Sequence, residues 1–449
     1  MSFPRYPEYK DSGVEWLGEV PTHWKVMPIR YAAKLESGHT PSRNHPEYWD
    51  DCIVPWFTLA DVWQIRQAQR TVIFETKEKV SELGLSNSAA RRLPKGTVML
   101  SRTASVGYSA IMGVEMATTQ DFANWVCGDQ LKPEFLLHAL RSMHSEFNRL
   151  MMGSTHNTIY MPDIQALRFA LPPTEEQVVI TAFINRETTQ IDALVAEQER
   201  LIELLKEKRQ AVISHAVTKG LNPDAPMKPS GIEWLGEVPA HWKVRRVSSL
   251  STKITNGYVG PTRDIFVDNG IRYLQSLHIK ANKIRFDAPY FFSPEWSRQH
   301  SKSVLESGDV LIVQTGDIGQ AAVVTDDFAG CNCHALIIVS PIREIVEGAW
   351  IALVLKAEFG LQSLLSIQTG ALHPHLNCGD VKDVSIPVPS LCEQRQIIEY
   401  VSEKTRSLDA LISESERAID LLHERRTALI SAAVTGKIDV RAIADRAAA

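Results

Sequence analysis

An internal duplication constrains this chain more than any other feature of its sequence. Residues 12–26 read SGVEWLGEVPTHWKV and residues 230–244 read SGIEWLGEVPAHWKV, with 13 identities in 15 positions at an offset of 218. Further along each unit, Glu176-Gln177 returns as Glu393-Gln394 at an offset of 217. Self-similarity at a fixed period is the signature of repeated structural units. We therefore expect two similar domains in tandem, and 449 residues give each of them enough chain for its own core.

The two copies agree at their ends and diverge in their middles. Between the matched segments only a skeleton is shared, such as Gly96-x-Val98 against Gly308-x-Val310 and Thr103 against Thr315. If the two copies had diverged equally along their whole length, the duplication would indicate only a structural repeat. A fixed frame with divergent middles favours two heads that recognise different targets. The alternative is that the matched segments are core and the remainder is surface loop.

Each unit closes with a long helical pattern. Thr174 with Gln177, and Ser390 with Glu393, have the spacing of capping boxes and predict where the two helices begin. Apolar residues then recur at spacings of three, four or seven, which is an a/d stripe. We expect the two helices to pair with each other as an antiparallel coiled coil; the alternative is that each packs on its own globular unit. The residues predicted to pair are Ile184, Ile191, Leu194, Leu201 and Leu205 in the first helix, and Val401, Leu408, Leu411, Leu422 and Leu429 in the second.

The remaining segments predict a mixed α/β (α+β) fold. Short β-rich runs such as 310–313 and 335–339 alternate with turns and helical stretches, so each globular domain is expected to hold a mixed sheet. The linker after the first helix has its counterpart in the N-terminal residues 3–10, which predicts that the N-terminus meets the end of the second helix. The predicted segments are a first globular domain 1–172, a long helix 173–218, a linker 219–229, a second globular domain 230–389, a long helix 390–435 and a tail 436–449.

Composition excludes several classes of protein. A net charge of −5 argues against a uniformly basic coat, although residues 243–302 hold eleven Lys or Arg against four Asp or Glu. No apolar run approaches the roughly 20 residues needed to cross a bilayer, so no membrane partner is expected. The first residues show no basic segment followed by an apolar stretch, and the six cysteines are few and scattered, so we expect a reducing, cytoplasmic setting.

Catalytic and cofactor motifs do not emerge from the sequence. Gly316-Asp-Ile-Gly319 lacks the third glycine of a dinucleotide fingerprint, and no Gly-x-x-x-x-Gly-Lys-Ser/Thr phosphate loop occurs. Cys331-x-Cys333-His334 with Cys378 suggests zinc, but the matching stretch 119–122 of the first copy has no ligand pattern. We expect no metal and no catalytic residue in this chain.

The order of the repeated motifs resembles the specificity subunits of type I restriction-modification systems. The first copy carries Trp16-Leu17-Gly18 through Trp24 and then Pro172-Pro173-Thr174-Glu175-Glu176-Gln177; the second carries Trp234 through Trp242 and then Pro387-Val388-Pro389 before Glu393-Gln394. The resemblance covers essentially the whole chain.

That resemblance implies a non-catalytic protein that binds double-stranded DNA. The globular domains 1–172 and 230–389 would be target-recognition domains, each reading one half of a bipartite site, and the long helices would be spacer helices. The divergent middles indicate that this site is asymmetric. The paired helices would set the spacing and dock two methyltransferase subunits and, through the complex, restriction subunits. S-adenosylmethionine, ATP and Mg are then expected on those partners and no cofactor on this chain. The alternatives are a self-sufficient modification or restriction enzyme and a tandem protein-interaction scaffold.

Polar loops beside glycines supply the candidates for DNA contact, with ordinary turn or surface roles as the alternative for each. Arg102 aligns with Gln314, and in the major groove Arg suits guanine whereas Gln suits adenine. The candidates are Arg43, Arg102, Thr103, Thr155, His156 and Asn157 in the first domain, and Asn256, Tyr258, Gln314, Thr315, His373 and His375 in the second.

Overall fold

The chain forms two compact units in a computed structural model that describes residues 3–67, 70–152, 157–262, 265–370 and 374–441. The first unit comprises Met1–Glu197 with Ala418–Ala449, and the second comprises Gln198–Arg417. Each unit therefore combines one globular domain with the N-terminal part of one long helix and the C-terminal part of the other. The predicted mixed α/β fold is confirmed in both.

The first unit is built on a five-stranded sheet. Its central strands are almost wholly apolar and buried, which indicates that side chains cover both faces of the sheet. The strands run in the order Ala33–Ser37, Phe122–Cys127, Val98–Ser101, Ser109–Met112 and Val72–Ile73; smaller sheets join Ala117–Thr118, Val54–Phe57 and Glu78–Val80, then Lys25–Pro28 with Arg168–Leu171, and Tyr9–Asp11 with Glu19–Pro21. The short α-helices are Trp63–Arg66, Glu82–Ser86, Pro133–Ser142, His144–Leu150 and Met161–Ala166.

The second unit repeats this plan around a four-stranded sheet. Its strands run in the order Ser251–Asn256, Leu336–Pro341, Val310–Val313 and Ala321–Val323; smaller sheets join Phe291–Phe292, Ile271–Leu274 and Asn332–Cys333, then Lys243–Arg246 with Ser385–Val388, Met227–Pro229 with Glu237–Pro239, and Ile279–Lys280 with Lys283–Ile284. The short α-helices are Pro294–Gln299, Gly348–Lys356, Glu358–Ser366 and Cys378–Val381.

Two long helices, Thr174–Lys219 and Leu391–Val434, pack together in antiparallel fashion. In the first unit, Asp192 forms an ion pair with Arg426, with 3.2 Å between Asp192 Oδ1 and Arg426 Nε. In the second unit, Arg209 pairs with Asp409 at 2.8 Å. The two aspartates occupy the same repeat position, as do the two arginines. The duplication has therefore preserved this interhelical ion pair in both copies.

The buried seam of the helices follows a heptad that differs in part from the predicted one. Leu194, Leu201 and Leu411 are 45, 42 and 47% exposed, so their assignment to the seam is corrected. Buried or half-buried positions instead alternate by four and three: 184, 188, 191, 195, 198, 202, 205 and 209 in the first helix, and 401, 405, 408, 412, 415, 419, 422, 426 and 429 in the second. Ile184, Ile191, Leu205, Val401, Leu408, Leu422 and Leu429 lie on this seam.

The error has a physical cause. Leu194 precedes Val195 and Leu201 precedes Ile202, and neighbours on a helix are only about 100° apart, so either member of a doublet can satisfy an a/d spacing. The true phase was obscured because it places polar residues, Arg209 among them, in the seam.

The expected capping boxes form only in part. Ser390 caps the second helix by accepting the Glu393 amide at 3.3 Å, but the Glu393 carboxylate is bonded elsewhere. The first long helix begins at Thr174 itself, and the Gln177 side chain bonds the Lys132 amide at 2.9 Å and the Pro172 carbonyl at 2.9 Å. The side chains of Gln177 and Glu393 therefore join each long helix to its globular domain, and neither completes a capping box in the first turn of its own helix.

The glutamate of the repeated Glu-Gln pair ties the long helix to the repeated His-Trp pair. Glu176 accepts hydrogen bonds from Trp24 Nε1 at 3.2 Å and from the Tyr6 hydroxyl at 2.6 Å, and its second oxygen lies 2.9 Å from His23 Nε2. Burial and this carboxylate raise the pKa of Tyr6. The repeated Glu-Gln and His-Trp pairs of the first copy thus form one structural joint.

The second unit contains the same joint without its tyrosine. Glu393 accepts from Trp242 Nε1 at 3.0 Å and lies 3.0 Å from His241 Nε2. Its side chain is 26% exposed, compared with 6% for Glu176.

The N-terminal segment meets the end of the second long helix, as the sequence predicts. The Asp439 amide donates to the Pro4 carbonyl at 2.7 Å, and the Tyr9 hydroxyl donates to the Gly436 carbonyl at 3.0 Å. In the second unit the linker runs alike, with Met227 opposite Pro239 where the first unit has Tyr9 opposite Pro21.

Cys331 and Cys333 are buried in an apolar cluster of the second unit, and burial raises the pKa of both thiols. Within the described ranges no single helix is long and apolar enough to cross a bilayer; Gly348–Lys356 and Glu358–Ser366 reach that length only as a pair bent by 81°.

A buried histidine should make the chain sensitive to acid. Burial, together with the charge of Arg141, lowers the pKa of His138 to about 4. The unfolded chain takes up this proton near pH 6.5 whereas the folded chain resists it, so stability falls as pH drops from 6.5 toward 4, by about 2 kcal/mol at pH 5. We expect His138→Gln to reduce the difference in melting temperature between pH 7.5 and pH 5, while exposed His39→Gln leaves it unchanged. Equal differences in both variants would contradict this assignment.

Candidate nucleic-acid interface

Loops at one edge of the main sheet gather several of the candidate residues of the first unit. The Arg102 carbonyl accepts the Ile159 amide at 2.9 Å, and the Ala104 amide donates to the Asn157 carbonyl at 2.9 Å. Thr103 forms an isolated bridge with Thr158. The structure thus lays the strand-connecting loop 102–107 against the segment that contains Asn157.

A third loop joins this edge through Gln120. The Thr40 hydroxyl donates to Gln120 Oε1 at 2.8 Å, and Arg102 Nε donates to the Gln120 carbonyl at 3.0 Å. Arg102 also donates to the Ile159 carbonyl at 3.2 Å. Its guanidinium therefore clamps two neighbouring segments, and its Nη2 makes no hydrogen bond to any described residue. We call loops 38–43, 102–107, 118–121 and residues 157–160 the first edge.

The second unit presents the same arrangement with different side chains. The Gln314 carbonyl accepts the Leu376 amide at 2.9 Å, as Arg102 accepts Ile159. Thr315 bridges His375 as Thr103 bridges Thr158. The sequence alignment of Arg102 with Gln314 is therefore a structural equivalence. We call loops 256–260, 314–319, 332–335 and residues 374–376 the second edge.

Asn256 and Tyr258 lie in the second edge, beside a cavity of about 330 Å³ that His300 and Lys302 also line. The Tyr258 ring meets the Trp296 ring edge-on at 5.0 Å. Asn256 Oδ1 is buried, and no described group donates to it. Polar atoms and an exposed cation therefore face the same space, an arrangement suited to the base edges and phosphates of a nucleic acid.

Burial disfavours the charged forms of two titratable groups beneath the second edge. Burial lowers the pKa of His334, and it raises the pKa of Tyr273, whose hydroxyl lies 3.0 Å from His334 Nδ1. Lys302, which lines the adjoining cavity, supplies positive charge beside this edge.

Arg43 has other contacts. Its guanidinium stacks at 3.8 Å on the Trp49 ring and pairs with Glu78 at 2.9 Å, although the side chain is 60% exposed. Thr155, His156 and His373 lie outside the described residues.

Gln120 was missed by sequence reasoning. It sits in a turn that no periodic pattern marks, and the stretch of the second copy matched to 119–122 contains no glutamine. The available signal was its position directly before the strand Phe122–Cys127, which the structure places between the other two strands of the edge.

Comparisons with known proteins agree with this duplicated architecture. The family model described as the type I restriction modification DNA specificity domain matches twice, at residues 21–204 and 239–420. The MjaIX specificity subunit of Methanocaldococcus jannaschii is 23% identical over 444 residues, covering 96% of this chain and 97% of that protein. The StySPI specificity subunit of Salmonella potsdam is 20% identical, covering 94% and 90%.

Solved structures share the fold. A chain from a study of complex assembly and conformational transition of the type I R-M system superposes with a TM-score of 0.70 at 17% identity, covering 92% of this chain and 98% of that one. The HsdS subunit of Thermoanaerobacter tengcongensis gives a TM-score of 0.55 at 18% identity, covering 93% and 98%. Because the family model matches most of its length, in two copies, the chain belongs to the type I restriction modification DNA specificity family as a specificity subunit.

Proposed function

We propose that this chain reads a bipartite, asymmetric site in double-stranded DNA, with residues 1–172 reading one half and residues 230–389 the other. The observation that carries the proposal is the equivalence of the two edges. Both are held by the same backbone hydrogen bonds, at Arg102 and at Gln314, yet they present different side chains. A constant frame with variable polar side chains is what direct readout of two different sequences requires.

We also propose that the long helices set the distance between the half-sites and dock methyltransferase subunits. Leu194, Leu201 and Leu204 are 42 to 51% exposed along the first helix, and Leu411 is 47% exposed on the second. Apolar side chains repeated on a solvent-facing helix indicate a surface for a protein partner. Restriction subunits would join through that complex, which leaves the chemistry and its cofactors to the partners.

Exchange of the equivalent edge residues tests the reading role. We expect Arg102→Gln to change or weaken recognition of one half-site, and Gln314→Arg the other, each by about tenfold in affinity, because one base-specific bidentate contact contributes about 1–3 kcal/mol. The chain is co-expressed with its methyltransferase partner, and methylated-motif sequencing of host DNA reports both half-sites and their gap.

Arg168→Gln is the matched control, because Arg168, like Arg102, donates to a backbone carbonyl but lies on the separate two-stranded sheet. Footprinting of the complex should show two protected patches. Uniform or absent protection would defeat the proposal, and methyl transfer or DNA cleavage by the purified chain alone would establish the self-sufficient enzyme instead.

A further inference from the structure

A cavity of about 280 Å³ lies within the first unit and shares only Gly107, the last residue of loop 102–107, with the first edge. The short helix Trp63–Arg66, the end of helix Pro133–Ser142 and the second long helix enclose it. Among the described residues, its ionisable lining consists of Arg66, Arg141, His144, His423 and Arg426 and includes no carboxylate.

Among the described residues, only one of the three arginines of this cavity has an acidic partner. Arg426 pairs with Asp192 at 3.2 Å. Arg141 donates to the Ser109 carbonyl at 2.9 Å and pairs with no carboxylate in the described part of the chain. Arg66 is exposed and, among the described residues, forms no ion pair. Burial and the neighbouring charge of Arg426 lower the pKa of Arg141 to about 10. The cavity therefore holds an excess of positive charge that a bound anion would neutralise.

A buried hydroxyl lines the same cavity. Ser109 is fully buried, and its Oγ has no hydrogen-bond partner among the described residues. A buried polar atom without a partner costs free energy unless a ligand or water satisfies it. Ser109 and the three arginines come from four separate elements, so their donors approach from different directions. That arrangement suits the tetrahedral oxygens of a phosphate better than the two coplanar oxygens of a carboxylate.

The second unit offers an internal comparison. Lys356 and Arg209 stand at the repeat positions of Arg141 and Arg426, and burial followed by the charge of Arg209 lowers the pKa of Lys356 to about 8. At the repeat position of His423, however, Lys206 is bound to Glu203 at 2.9 Å. This cation is already neutralised, which makes Lys206 a suitable control position.

We propose that the cavity lined by Arg66, Arg141 and Arg426 in the first unit is a phosphate-binding site. Its volume is several times the roughly 30 Å³ that a water molecule occupies, so a phosphate group fits together with its hydrating waters. Arg141, Arg426 and Ser109 would form the inner wall, while Arg66 and His423 would complete the site from the exposed side.

Titration of the full-length chain with inorganic phosphate tests the site. At constant ionic strength, with chloride as the reference salt, we expect phosphate to raise the melting temperature and to broaden its own phosphorus resonance. Arg66→Gln and His423→Gln remove exposed donors, and each should weaken phosphate binding by about tenfold, as expected for a charge-assisted contact. Lys206→Gln should bind phosphate as the unaltered chain does. Melting without phosphate verifies that every variant is folded.

Two results would overturn the proposal: a chain that phosphate stabilises no more than chloride does, or equal affinity in Arg66→Gln and Lys206→Gln. Duplex DNA added to the phosphate-bound chain identifies the source of the group. Displacement of inorganic phosphate by DNA would assign the site to a backbone phosphodiester, and joint binding would assign it to a free phosphate compound. Because the first titration contains no DNA, its outcome is independent of the proposed reading of DNA.

Discussion

Replacement of Glu176 by alanine is expected to lower the free energy of unfolding by about 4 kcal/mol, since hydrogen bonds to a charged group contribute about 1.5–3 kcal/mol each and are not fully additive. The carboxylate accepts from Trp24 Nε1 and the Tyr6 hydroxyl and lies against His23. Trp24 is fully buried, so its indole N–H would lose its acceptor where water cannot easily replace it.

Glu393→Ala is the matched variant in the other copy. Glu393 lacks the tyrosine donor and is more exposed than Glu176, so we expect Glu393→Ala to lower the free energy of unfolding by only about 2 kcal/mol. Denaturant unfolding, with hydrogen exchange of 20–26 and 238–244 to localise the effect, measures both losses. Glu176→Gln keeps an acceptor oxygen and should lose less than Glu176→Ala. A larger loss for Glu393→Ala than for Glu176→Ala would contradict this account of the joint.

Exchange of Ile202 for alanine is expected to cost about 2–3 kcal/mol, because a seam residue that is 7% exposed leaves a cavity when it is truncated. Its neighbour Leu201 is 42% exposed and should cost less than about 1 kcal/mol in the same exchange. Both substitutions remove large aliphatic groups from adjacent positions of one helix, so differences in helix propensity nearly cancel. The denaturant midpoints of the two variants measure the difference. A larger loss of stability for Leu201→Ala than for Ile202→Ala would contradict the observed seam and support the one predicted from the sequence, which contains Leu201.

The duplication allows several features of the fold to be predicted from the sequence. The matched ends of the copies predict two similar units, and the apolar periodicity predicts two long helices that pair. The meeting of residues 3–10 with the end of the second helix also follows from the repeat, because the linker provides its counterpart. Each of these inferences rests on a comparison within the chain or on a local period. Both kinds of pattern can be read directly from the amino-acid sequence.

The Glu-Gln pair shows where such reasoning fails. A capping box is a local pattern, and Gln177 and Glu393 have the spacing for it. In the folded chain these side chains bond Lys132 and Trp242 instead, because buried donors distant in sequence need acceptors.

By itself, the sequence determined the tandem organisation, the two long helices and the divergence that distinguishes the heads. The tertiary structure alone decided the phase of the helix seam, the three loops that meet at Gln120 and the arginines that surround one cavity. The physical reason is that periodicity and repetition act along the chain, whereas the choice of hydrogen-bond and ion-pair partners depends on which segments folding brings within about 3 Å of one another.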